Sequence, residues 1–187
     1  MTKNTISTYH IALLILARVV TFAIGGAFAG YFIGALEGGG FGGVLGSLFQ
    51  GNFGNSISER VRMGITVGTS QGRTVGMAAA AVAFAIVGLL QPAHADLQRS
   101  FRGAMCGAII FTLFGAAAGA ISGTGLHLLF RPAGTPFNLF GGFHLGCIGG
   151  FTIGLFAGAL LGGTGRLRHV SWRSAMRWAL PARPAGG

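Results

Sequence analysis

The sequence predicts an all-α integral membrane protein: about four glycine-zipper transmembrane helices plus a short C-terminal interfacial helix. Three observations predict it. Of the 187 residues 51% are hydrophobic and only 9% are charged, where a soluble domain carries nearer a quarter of charged residues. The apolar residues gather into long runs separated by short polar or proline-bearing links, and about 18 such residues suffice to cross a bilayer. Within each run glycine recurs every fourth residue.

One ladder comprises Gly26, Gly30, Gly34, Gly38, Gly42 and Gly46. A second comprises Gly64, Gly68, Gly72 and Gly76, prolonged by Ala80 and Gly88. A third, Gly103, Gly107, Gly115, Gly119 and Gly123, has Phe111 in its one missing place. The fourth comprises Gly142, Gly146, Gly150, Gly154, Gly158 and Gly162. A step of four keeps these positions on one side of an α-helix, which then carries a stripe without side chains. In water each interior glycine costs about 1 kcal/mol relative to alanine. In a bilayer no water competes for the backbone, so the helix persists. The bare stripe lets a second backbone approach closely, which makes the ladder glycines the helix-packing residues.

Along the chain, Met1 to His10 is short and polar. The first span, about 11–36, is interrupted by Arg18, and the part from Val19 onward is long enough to cross. Arg18 either snorkels to the headgroups or is buried with a functional role. Gly38-Gly39-Gly40 is expected to weaken a helix. Phe41 to Phe49 is too short to cross alone, so it continues the first helix, re-enters, or lies on the interface. Asn55 to Arg62 is a polar connection. The second span, about 74–90, follows an amphipathic extension from Met63, in which Thr66, Ser70, Arg73 and Thr74 form a polar stripe opposite the glycines. Gln91-Pro92 ends it. Ala93 to Ser100 links to the third span, 103–130. The connection Arg131 to Pro136, with two prolines, leads to the fourth span, 137–163.

Residues 1–165 thus form a single transmembrane helical domain, and 166–187 a basic tail. In the tail, Ser171 caps a helix that Pro181 stops. Trp172, Ala175, Met176, Ala179 and Leu180 share one face, Arg173, Ser174 and Arg177 the other, with Trp178 at the border. Trp172, Arg173, Arg177 and Trp178 are the residues expected to meet lipid headgroups. Two small-residue triplets, Ala27-Phe28-Ala29 and Ala93-His94-Ala95, resemble cleavage sites. Arg18 splits the run before the first and the second lies far inside the chain, so both are read as uncut. The third and fourth spans echo each other, with Cys106, Phe111-Thr112 and Ala118-Gly119-Ala120 matched by Cys147, Phe151-Thr152 and Ala157-Gly158-Ala159. This is either a duplication or shared glycine–alanine composition.

The net charge is +10. It falls between and after the apolar segments, which points to lipid headgroups and topology and not to nucleic acid. With four spans, Lys3, Arg99, Arg102 and the five tail arginines share a side, against Arg60, Arg62, Arg73 and Arg131 on the other. By this bias both termini are cytoplasmic, in the cytoplasmic (inner) membrane.

Little chemistry is on offer. Glu37, Glu59 and Asp96 are the three acids, and no Ser-His-Asp, H-E-x-x-H or phosphate-loop pattern occurs, so the chain does not read as an enzyme. Cys106 and Cys147 read as small buried hydrophobes without metal or disulfide spacing. His144 and His127 are the possible cofactor ligands, for haem iron or a chlorophyll magnesium. Either histidine equally suits a bond to a neighbouring helix or the headgroup level, and no cofactor is assigned. Thr66, Ser70, Arg73 and Thr74 form a possible polar pathway in which arginine favours anions, or a helix end beyond the bilayer.

Four glycine-striped spans with a basic link before the second are similar in outline to the pore-subunit family of the mitochondrial inner-membrane protein translocases. The likeness covers about Gly25 to Phe130 and rests on glycine spacing and a few arginines; it carries over no functional residue. Four ladders exceed what one small bundle needs, and an exposed ladder would dock another helix. The expectation is therefore a non-catalytic structural or accessory subunit of a larger membrane complex, docking through its glycine-striped helices. Its partners would be membrane lipids and other transmembrane subunits, or further copies of itself. The alternatives are a small homo-oligomeric channel or carrier and a pigment- or haem-binding membrane protein.

Overall fold

The computed structural model describes residues 8–48, 56–92, 95–129 and 139–165. They contain four helices: α1 (Thr8–Leu48), α2 (Ile57–Leu90), α3 (Leu97–Leu129) and α4 (Leu139–Gly163). All four are long and apolar enough to cross a membrane. The tail, with Trp172, Arg173, Arg177 and Trp178, lies outside the described residues.

The first helix corrects one expectation. It runs unbroken through Gly38-Gly39-Gly40 to Leu48, so of the three readings for Phe41 to Phe49 the continuation holds as far as Leu48, and Phe49 lies outside the described residues. Glycine's weakness as a helix former is measured in water. Here Gly38 lies against Gly68 and Gly39 beside the Thr69 side chain, so packing supplies what propensity lacks. At 1.5 Å per residue α1 is about 60 Å long, twice a hydrocarbon core of roughly 30 Å.

In α2 the amphipathic extension and the second span are one helix, and the polar connection ends earlier than expected, at Ser56. Ser56 is the N-cap. The Glu59 amide donates to its Oγ (3.2 Å), and its own amide donates to Glu59 Oε2 (3.2 Å). This reciprocal pair satisfies two amides that a helix start leaves open. Ser56→Ala is expected to cost about 1 kcal/mol locally, read as amide exchange about fivefold faster in the first turn of α2.

Two further helix ends are set by local chemistry. At the start of α3 the Arg99 amide donates to Asp96 Oδ1 (3.1 Å), so the helix begins ahead of the expected 103. α4 closes at Gly165, whose φ of 76° is the left-handed conformation that ends helices at little cost to glycine.

The ladders decide the packing. On the antiparallel pair α1–α2, Gly30 faces Gly76, Gly34 faces Gly72, Gly38 faces Gly68 and Gly42 faces Gly64. A methyl group on any of these would overlap the carbonyl oxygen of the partner. Gly26 continues the series against Ala80 and Phe84, and Gly46 against Arg60. On α3–α4 the facing pairs are Gly103–Gly162, Gly107–Gly158, Gly115–Gly150, Gly119–Gly146 and Gly123–Gly142. The backbone of Phe111 occupies the remaining place, opposite Gly154. Carbonyls held this close to a facing Cα suit weak Cα–H···O bonds, worth perhaps ~0.5–1 kcal/mol each.

The two hairpins meet mainly through α2 and α4. At the end that holds the start of α1 they are tied firmly. Phe101 of α3 lies edge-on to Phe22 (5.6 Å) and Phe84 (5.2 Å), in the space that the bare Gly25 leaves. Val87 abuts Gly163. Arg18 Nη1 donates to the carbonyls of Gln91 (2.8 Å) and Pro92 (3.1 Å), and Gln91 Nε2 donates to the Gly163 carbonyl (2.8 Å). Arg18 is thus half-buried and bound to the carboxyl end of α2, where cations are favoured. Toward the other end the hairpins part, and a cavity opens between them.

Candidate functional site

The cavity measures about 290 Å³. Its walls are mostly glycine, valine, phenylalanine and isoleucine. Glu37 of α1, Gln71 of α2 and His144 and Cys147 of α4 are the side chains on it that carry hydrogen-bonding atoms. No lysine or arginine among the described residues lines it. An apolar hollow with a few convergent polar groups is the usual form of a small-molecule site.

Glu37 is the unusual member. Its helix is flat on this side because Gly34 and Gly38 flank it in the ladder, and close packing against α2 draws it inside. It is 9% exposed. Its Oε1 accepts a hydrogen bond from Thr112 Oγ1 of α3 at 2.6 Å, and this bond joins the two hairpins. Thr112 is fully buried, and its hydroxyl also lies 2.8 Å from the Ala108 carbonyl and 3.0 Å from that of Ile109. One hydroxyl proton is therefore shared among three acceptors. Glu37 Oε2 is buried and has no hydrogen-bond partner among the described residues. A carboxyl group within an apolar helix bundle, half satisfied, marks a functional position more often than a structural one.

The site residues expected from sequence are divided. His144 is half-buried on the cavity wall, level with Glu37. His127 falls near the end of α3, and its side chain lies outside the described residues. Thr66, Ser70, Arg73 and Thr74 do share one side of α2, but that side is exposed. They do not line the cavity. Thr66 and Thr74 donate to carbonyls of their own helix, Arg62 (2.9 Å) and Ser70 (3.3 Å). Cys147 is buried as expected; Cys106 is exposed, because its position on α3 turns away from both α4 and the other hairpin.

No known protein family, curated protein or solved structure matches this chain. The outline likeness to translocase pore subunits rests on glycine spacing and a few arginines and carries no further argument. The site stands on its geometry.

Sequence reasoning missed Glu37 and Thr112. A signal for Glu37 was present. It is the one acid set within a glycine ladder, between Gly34 and Gly38, and a residue inside a packing stripe is drawn toward the bundle interior. Thr112 gave no such signal, since threonine is common in membrane helices and satisfies itself on the preceding turn.

Proposed function

We propose that the chain is a small carrier or channel-type protein of the cytoplasmic membrane that takes up a small monocation, such as an alkylammonium, in the cavity beside Glu37. The single observation that carries this reading is the buried carboxyl group with one oxygen unpartnered, and no lysine or arginine on the cavity wall, among the described residues. A charge buried without its complement is costly. A cationic solute supplies the complement, and the apolar wall accepts its alkyl part. Gln71 and His144 add two polar contacts to orient it. No catalytic role is proposed.

In this reading the four ladders act as glycine zippers that hold two rigid hairpins. Both termini are cytoplasmic, with the basic tail on the headgroup layer. The ladders take one another up inside the chain, so they leave no bare stripe for a partner helix among the described residues. Association with other subunits therefore needs a different surface.

The test is uptake of labelled methylammonium into proteoliposomes of the purified chain. Wild type is expected to show saturable uptake, and Glu37→Gln to reduce it by tenfold or more. Equal uptake by the two proteins would sink the proposal.

A further inference from the structure

Arg73 is the feature that the cavity does not use. Val87 of α2 lies beside Gly163 of α4, and Val75 and Phe151 line the same cavity. The two helices run in the same direction, which puts Arg73 level with Gly149, close to the centre of α4. Arg73 is nevertheless exposed on the outside of the bundle. Its guanidinium stacks over the Tyr31 ring at 5.1 Å and has no hydrogen bond or ion pair among the described residues. α4 has 25 residues, near the length of one bilayer crossing, so a bilayer that α4 spans also holds Arg73 in its hydrocarbon layer, where a guanidinium on an outer face is expensive and marks a place where something polar approaches.

The chain holds no acid that can serve. Glu37 is inside the bundle, bound to Thr112. Glu59 closes the capping box of α2, and Asp96 caps α3. Glu59 and Asp96 stand at the starts of α2 and α3, so a second copy has no carboxyl group to present at the height of Arg73. The Thr66 and Thr74 hydroxyls on this face are satisfied on their own helix and Ser70 offers only a neutral hydroxyl, so the five guanidinium donors are the charged need beside it.

We infer that the outer face of α2 around Arg73 seats a transmembrane helix of a different protein that presents a carboxylate to Arg73. Charge complementarity selects that partner, and the Tyr31 ring beside the guanidinium helps to hold it in place. This surface is independent of the cavity and of the transport reading.

The probe is a synthetic leucine–alanine transmembrane peptide with one central aspartate, against the same peptide with leucine there. Energy transfer is read in phosphatidylcholine vesicles from a donor on the exposed Cys106 of the full chain. The aspartate peptide is expected to bind about tenfold more tightly than the leucine peptide, a difference of about 1.4 kcal/mol. Arg73→Gln should erase the difference, and Arg73→Glu should transfer it to a peptide with central lysine, which shows that the variant is folded. Equal binding of the two peptides to wild type would overturn the inference, as would a difference that survives Arg73→Gln. A native mass showing a dimer that Arg73→Gln dissociates, with no peptide present, would overturn it in favour of a second copy.

Discussion

Gly72→Val is expected to separate α1 from α2 and to unfold the first hairpin in mild detergent. A Cβ at this position would overlap the Gly34 carbonyl oxygen and carbon and would lie 3.1 Å from the Gly38 Cα. Those atoms are backbone, held in place by the ladder of helical hydrogen bonds, so they cannot rotate away as a side chain would. Overpacking a yielding core costs typically about 1–3 kcal/mol; here the helices must move apart along the whole run of facing glycines, so the loss is expected to exceed about 3 kcal/mol. The same substitution at Gly150, which meets the Gly115 carbonyl, should open the second hairpin to a similar degree. Gly40 and Gly149 provide the control. Nothing lies within 4 Å of a Cβ at either, and valine there should leave the thermal transition nearly unchanged. Should Gly72→Val melt with wild type, close backbone packing is not what holds α1 to α2.

That contrast also shows where sequence and structure part. The ladders were legible because a four-residue period needs only a helix to become a stripe. Which stripe meets which was not, since glycine carries no side chain to encode a partner. Gly34 could face Gly72 or Gly150 equally well. The choice follows from connectivity: neighbouring helices joined by short links pack as antiparallel hairpins. The unbroken passage through Gly38-Gly39-Gly40 was hidden for another reason, because helix propensity describes a chain in water and says nothing of a backbone whose two sides are already packed.

The site was harder to read. Glu37 looked like a charge just past the end of the first span, because the apolar count stops at Leu36. Only the continuation of α1 to Leu48 puts Glu37 inside the bundle, and only the meeting of the hairpins brings Thr112 to it from α3. Arg73 was singled out as part of a polar stripe, but periodicity assigns a residue to a side of its helix without saying whether that side faces inward. The glycines occupy the inward side of α2, so Arg73 is left outside.

Glu37→Met is expected to make the protein more stable while abolishing methylammonium uptake. Methionine has nearly the length of glutamate and fills the same space without an unsatisfied oxygen. Removing a buried polar atom that lacks a partner is expected to gain about 1–3 kcal/mol. Thr112→Val works in the opposite direction. It keeps the shape and removes the one donor to Glu37 Oε1, leaving both carboxyl oxygens unmet, at a cost of about 3 kcal/mol. In the Glu37→Met background Thr112 has no carboxyl group to serve and retains only the carbonyls of its own helix. Thr112→Val should then cost less than about 1 kcal/mol, a coupling that a double-mutant cycle of thermal transitions measures directly. A carboxyl group kept for structure behaves otherwise: Glu37→Met would lower the transition, because the bond across the hairpins would be lost with nothing gained. A rise in stability together with loss of uptake is the signature of a group that the fold tolerates for the sake of what it binds.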